Sequence, residues 1–408
     1  MIEPSVTSEI GKLETVLVHR PSVEIARLTP DNKEALLFDD LLWLDRAQDE
    51  HDAFVGLMID RGVEVLYFDR LLTDVMKMPA ARDSLLRTVF TPARCGPRAS
   101  EALIAMLTET TAEKVVEVLV GGIMEHELGA WGLDPLFADL VADRYHHVLS
   151  PLPNLLFMRD NASWIGSALS RNVLKTPARQ RESMYMASIY DHHPLLSQLG
   201  SRPVFGAERG DVYPASLEGG DVLVLDEHTV CLGISERTAP SAIEILALRL
   251  FAETPITQAI VVRLPNTRAL MHLDTAFTMV DHATFNIFPG LLVVEGIHLI
   301  RPQGDHGLGV VAMPSIESAL LEALGLESIT MIQTGGDAIG RLREQWDDGN
   351  NTLALEPGVV VAYSRNVETN RQLRNHGIEV LELDSSELCR GRGGSRCMTQ
   401  PIVRVNLG

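Results

Sequence analysis

Apolar and polar positions recur in one order along the chain. Residues 219–251, GGDVLVLDEHTVCLGISERTAPSAIEILALRLF, followed by AIVVRL, predict a strand, a turn, a second strand, a helix begun in the polar SERT segment, and a further strand. Residues 350–383, NNTLALEPGVVVAYSRNVETNRQLRNHGIEVLEL, repeat that order, with VVVAYSRNVET standing in the place of TVCLGISERT. NLLFMRDNASWIGSALS, a helix through ARQRESMYMASIYDHH and the strand RPVF make a third copy. ETVLVHRP, the helix AQDEHDAFVGLMIDRG and the strand VEVLYF resemble a fourth, and the stretch from MHLDTAFTMVDHATFNIF onward supplies a fifth. Short β-rich runs alternating with single helices predict an α/β fold. About five like units suggest closure into a ring, because a ring removes exposed sheet edges and buries each unit's apolar face on its neighbours.

Residues 71–148 depart from this order. They are rich in Ala, Leu and Glu, and SEALIAMLTETTAEKVVEVLVGGI and DPLFADLVADRYHHVL predict long helices. The segment reads as a helical domain inserted in the first repeat, leaving 1–70 and 149–408 as the α/β catalytic domain. Glu125, His126 and Glu127 within it are consecutive, so they do not share a helix face and make a poor metal site. The same holds for His146 with His147 and His192 with His193, no HExxH occurs, and no metal is expected.

At 408 residues, with 46% apolar and 22% charged positions, the chain can bury a large core. Its formal charge of −20 disfavours nucleic acid and anionic membranes as partners and suits a cationic ligand. The amino terminus, MIEPSVTSEIGKLETVLV, shows no basic leader followed by an apolar run, and runs such as PGLLVVEGIHLI are too short to span a bilayer, so a cytoplasmic protein is expected. Cys95, Cys231, Cys389 and Cys397 show no CxxC pairing and form no disulfide framework. GDHGLG at 304–309 has no strand-to-helix context, and no GxxxxGKS or GxxxxGKT occurs, which leaves nucleotide chemistry without support.

The chemistry concentrates elsewhere. In RGRGGSRCMTQP, residues 390–401, glycines and arginines predict a flexible cationic loop whose charge lowers the Cys397 thiol pKa, making it a candidate nucleophile. An incidental cysteine on an exposed loop is the competing reading. Other polar candidates stand at repeat edges, where residues distant in sequence can converge: Asp160 in LPNLLFMRD, Glu218 and Asp221 in LEGGD, and His272 and Asp274 in MHLD. His272 and Asp274, two apart, would share a face on a strand. The LEGGD glycines permit close passage of the backbone, although a tight turn explains them equally well. A thiol, a histidine and several carboxylates without metal spacing suit binding and attack on a planar cation such as a guanidinium.

Taken in order, LLFDD, LPNLLFMRD, PARQRE, LEGGDV, GISERT, MHLDT, EQWDDGNN and RGRGGSRCMTQPIVR closely resemble the arginine deiminases of the guanidino-modifying (pentein) superfamily, over essentially the whole chain. The resemblance implies a five-bladed pseudo-fivefold α/β-propeller with an inserted helical bundle. It also implies hydrolysis of L-arginine to L-citrulline and ammonia through a covalent amidino-cysteine, without a cofactor, in a homodimer or homotetramer serving arginine catabolism. By motif, Cys397 would be the nucleophile and His272 the general acid and base, with Glu218 beside it and Asp160 and Asp274 holding the guanidinium. Asn154, Arg179, Arg237 and Arg392 would receive the α-carboxylate. Leu37 and Phe157 would line the channel, and Gly391 would lend the loop mobility. Two positions depart from the pattern: Gln400 stands where some members carry a second cysteine, and Arg396 where some carry a histidine. Agmatine deiminases, dimethylarginine hydrolases and amidinotransferases share the thiol and histidine logic, and Arg179 and Arg237 argue for a substrate that keeps its carboxylate. A catalytically silent arginine sensor would have no need of the thiol.

Overall fold

The computed structural model describes residues 2–130, 147–197, 203–206, 214–304 and 307–407. Most of the predicted helix DPLFADLVADRYHHVL, His146, and the centre of GDHGLG lie outside the described residues. The fold is mixed α/β, with one small unit repeated. In its clearest form Val222–Val224 runs antiparallel to Thr229–Ile234, and the chain returns through helix Pro240–Glu253 to lay Gln258–Arg263 parallel to it. Thr229–Ile234 is buried almost throughout, as expected of an apolar strand flanked on both edges.

Phe277–Asp281, Thr284–Ile287, helix Ile316–Leu324 and Thr330–Gln333 build the same order. So do Leu353–Glu356, Val359–Tyr363, helix Val367–Asn375 and Glu379–Leu383. Ala162–Ile165 pairs antiparallel with Ala168–Arg171 ahead of helix Gln180–His192, and a single parallel bridge from Ser170 to Phe205 stands where RPVF predicted a strand. The remaining unit joins both ends of the chain. Leu13–Val18 lies parallel to Glu64–Tyr67 across helix Leu44–Ile59, and its antiparallel partner is Gln400–Arg404. Local pattern left this unit one strand short, and the missing strand begins three residues after Cys397.

Two further expectations need correction. The hairpin Ile297–Gln303 with Gly307–Met313 extends the sheet of Val222–Val224 to five strands instead of serving the unit in which it occurs. SERT does not start a helix, because Ser235 is engaged in a turn: its hydroxyl accepts from the backbone N–H of Arg237 and Thr238 and donates to Asp221 at 2.6 Å. The helix begins at Pro240, whose missing N–H costs nothing in a first turn.

Residues 68–130 form helices, among them Phe68–Met76, Pro79–Val89, Pro97–Glu109 and Ala112–Gly121. Their apolar faces, with Leu72, Leu86, Leu103 and Leu119, share a continuous core with Trp164, Tyr185 and Ile189. Among the described residues no helix is long and apolar enough to cross a membrane.

Candidate active site

Each unit delivers polar side chains from the turn just ahead of its first strand. Asp160 precedes Ala162–Ile165, Glu218 precedes Val222–Val224, and His272 with Asp274 precedes Phe277–Asp281. Asn351 precedes Leu353–Glu356 and Cys397 precedes Gln400–Arg404. The predicted strand placement of His272 and Asp274 is corrected: His272 is extended, Asp274 sits in a short 3-10 turn, and the two side chains serve different partners.

His272 Nε2 lies 2.8 Å from Glu218 Oε2, and its Nδ1 lies 3.7 Å from Asp160 Oδ1. The ring packs over Gly220, where a Cβ would stand 2.7 Å from His272 Cγ, so the LEGGD glycine allows the backbone to pass under the imidazole. Burial alone would lower the His272 pKa, but Asp160, the Glu218 hydrogen bond and Asp221 raise it to about 10. The imidazole is therefore a cation at neutral pH. Asp221 braces the two turns, accepting from the Leu273 N–H at 2.8 Å, and its burial pushes its own pKa up to about 7.

Cys397 is held from the other side. Asn351 Nδ2 lies 3.1 Å from its sulfur, Asn351 Oδ1 accepts the Cys397 N–H at 3.0 Å, and Asp274 Oδ2 lies 3.6 Å from the sulfur. Asp274 Oδ2 accepts from Arg396 Nη1 at 2.7 Å, while its Oδ1 is buried without a hydrogen-bond partner. The cationic-loop expectation fails at this point. Residues 391–400 are all buried, and desolvation followed by Asp274, Asp160 and Asp348 raises the thiol pKa well above its ordinary value, with Arg396 opposing them. The loop glycines allow close approach: a Cβ at Gly391 would stand 2.8 Å from Phe157, and one at Gly393 2.3 Å from the same ring.

The residues expected to receive the α-carboxylate differ in availability. Arg179 is buried and fully engaged, donating to Asp160 Oδ2 at 2.6 Å, to both oxygens of Glu182 at 3.0 and 2.9 Å, and to the Asn154 and Phe157 carbonyls. Asn154 Nδ2 in turn donates to the Leu36 carbonyl at 2.7 Å. Arg237 is buried 4.0 Å from Glu218, with its Nε making no hydrogen bond. The Arg392 guanidinium stacks 3.6 Å from the Trp346 ring centre, and all three of its nitrogens lack hydrogen-bond partners. Leu37 and Arg392 both adopt left-handed backbone, with φ of 66° and 63°, a conformation disfavoured for side chains with a Cβ. A cleft of about 780 Å³ runs beside Arg392, walled by Asp39, Asp40, Arg46, Trp346 and Arg365.

Asp160, Glu218 and His272 place ligand atoms within 4.8 Å of one another, as a metal site would require. The negative charge of the two carboxylates already faces Arg179, 2.6 Å from Asp160 and 3.9 Å from Glu218, and the His272 ring. The two carboxylates therefore already have cationic neighbours within the chain.

Residues 34–404 match the family model described as arginine deiminase. The arginine deiminases of Bacillus cereus strain B4264 and Bacillus cytotoxicus are each 41% identical to this chain over 409 aligned residues, 98% of either chain.

The chain belongs to the arginine deiminase family.

Solved structures agree in fold. A dimethylarginine dimethylaminohydrolase in adduct with S-methyl-L-thiocitrulline superposes at a TM-score of 0.53 and 12% identity, covering 95% of this chain and 99% of that one. SxtG, an amidinotransferase from Microseira wollei, does so at 0.54 and 14%, covering 98% and 97%. Both departures from the arginine deiminase pattern are buried. Gln400 donates to the Ala162 carbonyl and accepts from the Tyr190 hydroxyl, both at 2.7 Å, tying the terminal strand to the neighbouring unit. Asn351, 3.1 Å from the Cys397 sulfur, is the neighbour that the motifs did not single out. The available signal was its position two residues ahead of a first strand, the same offset as Asp160.

Proposed function

We propose that this chain hydrolyses L-arginine to L-citrulline and ammonia through a covalent amidino-cysteine on Cys397. The observation that carries the reading is the Cys397 sulfur beside Asp274, whose second oxygen is buried and unpartnered and so available to a guanidinium N–H. Asp160 and Asp274 take the planar cation. Its positive charge offsets the carboxylates that hold the thiol protonated, so substrate binding itself favours release of the thiol proton to solvent.

The thiolate then attacks the guanidinium carbon, forming the C–S bond of a tetrahedral adduct. His272, already an imidazolium, protonates the departing nitrogen; the C–N bond breaks and ammonia leaves. The neutral imidazole next takes a proton from water, which adds to the same carbon. The C–S bond breaks, the sulfur recovers its electron pair, and the product loses its hydroxyl proton to become the citrulline ureido group. Glu218 keeps His272 oriented through this sequence and favours the imidazolium that opens it.

At the other end of the substrate, Arg237 and Arg392 offer donors without hydrogen bonds to the α-carboxylate, and Arg179 joins them by exchanging Glu182. Asn154 stands with them at the carboxylate end, Leu37 and Phe157 flank the aliphatic stem, and Gly391 lends the loop its mobility. The five units are read as blades of one closed ring, with 71–148 as an inserted helical domain. In support, Gln400–Arg404 touches Ala162–Ile165, Phe277–Asp281 touches Leu353–Glu356, and Leu353–Glu356 touches Leu13–Val18. The proposal extends to a cytoplasmic homodimer or homotetramer acting in arginine catabolism.

The test is to incubate the purified protein with L-arginine and, in parallel, with agmatine, following citrulline and ammonia. Equimolar products from arginine alone support the reading, and arginine bound without turnover would refute it. Cys397→Ala should abolish turnover and keep arginine binding measurable by calorimetry.

A further inference from the structure

Arg396, adjacent to the nucleophile in sequence, is 1% exposed. Its Nε and Nη2 donate to Glu9 Oε2 and Oε1 at 2.8 and 3.0 Å, Nη2 also reaches the Val222 carbonyl at 2.8 Å, and Nη1 reaches Asp274 Oδ2 at 2.7 Å. Glu9 comes from the opposite end of the chain and is itself buried. Burial would raise the Glu9 pKa, but Arg396 above all, with Arg159 and Arg404, brings it down to about 2. Glu9 is therefore ionised at any working pH. A fork-to-fork contact of this kind fixes the plane of a guanidinium as well as its position.

The consequence falls on Asp274. With Oδ2 taken by Arg396, the carboxylate cannot turn freely, and Oδ1 is the oxygen left unpartnered. At the thiol, the carboxyl groups are Asp274, Asp160 and Asp348, the last with its pKa pushed up to about 7 by burial; Asn351 is a neutral donor, and Arg396 is the opposing cation.

We propose that Glu9 and Arg396 are a positioning pair for the reaction: Glu9 holds the Arg396 guanidinium, and Arg396 sets Asp274 for the substrate guanidinium while its own charge favours the Cys397 thiolate. The part that concerns substrate rests on the deiminase reading. Neither residue belongs to the set implied by the family motifs.

The test compares the full-length chain with Arg396→Gln, Arg396→Lys and Glu9→Gln. It reads the pH midpoint of Cys397 alkylation by iodoacetamide, kcat and KM for L-arginine, and circular dichroism. Arg396→Gln should move the midpoint up by at least ~1 pH unit and lower kcat about 100-fold. Glu9→Gln leaves the Arg396 charge less compensated and should move the midpoint down, with kcat reduced about tenfold because the fork is loosened. Arg396→Lys keeps charge without the fork, so its midpoint should stay within about 0.5 unit of the parent while kcat falls about tenfold. A purely structural role would shift the Arg396→Gln and Glu9→Gln midpoints in the same direction, and that result would overturn the proposal. So would a folded Arg396→Gln whose kcat lies within about twofold of the parent. If Arg396→Gln does not fold, the other two variants decide, and unchanged midpoint and kcat in Glu9→Gln refute the pair. Alkylation needs no turnover of arginine. A parent that forms no citrulline therefore refutes the deiminase reading, while the midpoints still decide whether the pair acts on the thiol.

Discussion

Asn351 grips the nucleophile through both ends of its amide: Nδ2 lies 3.1 Å from the Cys397 sulfur and Oδ1 accepts the Cys397 backbone N–H at 3.0 Å. The backbone N–H needs an acceptor, which places the oxygen there and turns the NH₂ group to the sulfur. A neutral donor at that distance stabilises a thiolate more than a thiol. Asn351→Asp replaces the donor with a further carboxylate and should lower kcat at least about 100-fold, with a smaller change in KM. Steady-state kinetics at saturating arginine check this, and a kcat near that of the parent would remove Asn351 from the site.

Glu218 is the closest hydrogen-bonding support of the His272 charge. Glu218→Gln keeps the shape and removes the anion, so the His272 pKa should fall from about 10 by at least ~1 unit. Above its pKa the imidazole can no longer serve as the acid, so the alkaline limb of the kcat profile should move to lower pH. The raised pKa also has a stability consequence. His272 binds its proton more tightly folded than unfolded, so its contribution is fully present below its ordinary value of 6.5 and is lost as pH rises through about 10. Urea midpoints of the parent and Glu218→Gln should therefore differ most at acid pH and converge above pH 10 as far as His272 is concerned.

Gly391 stands where the Phe38 and Phe157 rings stack, their centroids 6.2 Å apart. A methyl group there would meet both rings, at 2.9 and 2.8 Å. Gly391→Ala should cost about 1–3 kcal/mol of stability and raise KM, because the displaced rings flank the proposed channel. Thermal unfolding and arginine titration test the two effects separately. A variant of parental stability would show that the ring pair yields easily.

Arg237 is buried, its Nε making no hydrogen bond and lying 3.4 Å from the half-exposed Glu236 carboxylate, so its loss should fall on substrate carboxylate recognition. A charge-assisted hydrogen bond contributes about 1.5–3 kcal/mol, so Arg237→Gln should raise KM for arginine by about 10- to 100-fold. Agmatine, without the carboxylate, should be handled alike by the parent and the variant. An equal loss for both substrates would assign Arg237 to the scaffold.

Much of this was legible along the chain. The short apolar runs TVCLGI and VVVAY, and the helical spacing between them and the next strand, are local properties, and the strands formed where those runs appeared. The candidate site residues were legible too, because Cys397, His272, Glu218, Asp160 and Asp274 sit in short motifs at repeat edges. Asn351 escaped notice because asparagines are common ahead of strands and turns for conformational reasons alone.

By itself, the sequence determined most of the repeating unit, the family and the motifs that hold the candidate residues, all of which depend on neighbours in the chain. Tertiary structure decided that Gln400–Arg404 completes the sheet of Leu13–Val18, nearly the full chain length away. It also decided the state of Cys397. Its arginine neighbours suggested a lowered pKa, but the outcome depends on burial and on carboxylates brought from other units. Desolvation and Coulomb energy sum over distance in space, and no local stretch of sequence contains those distances.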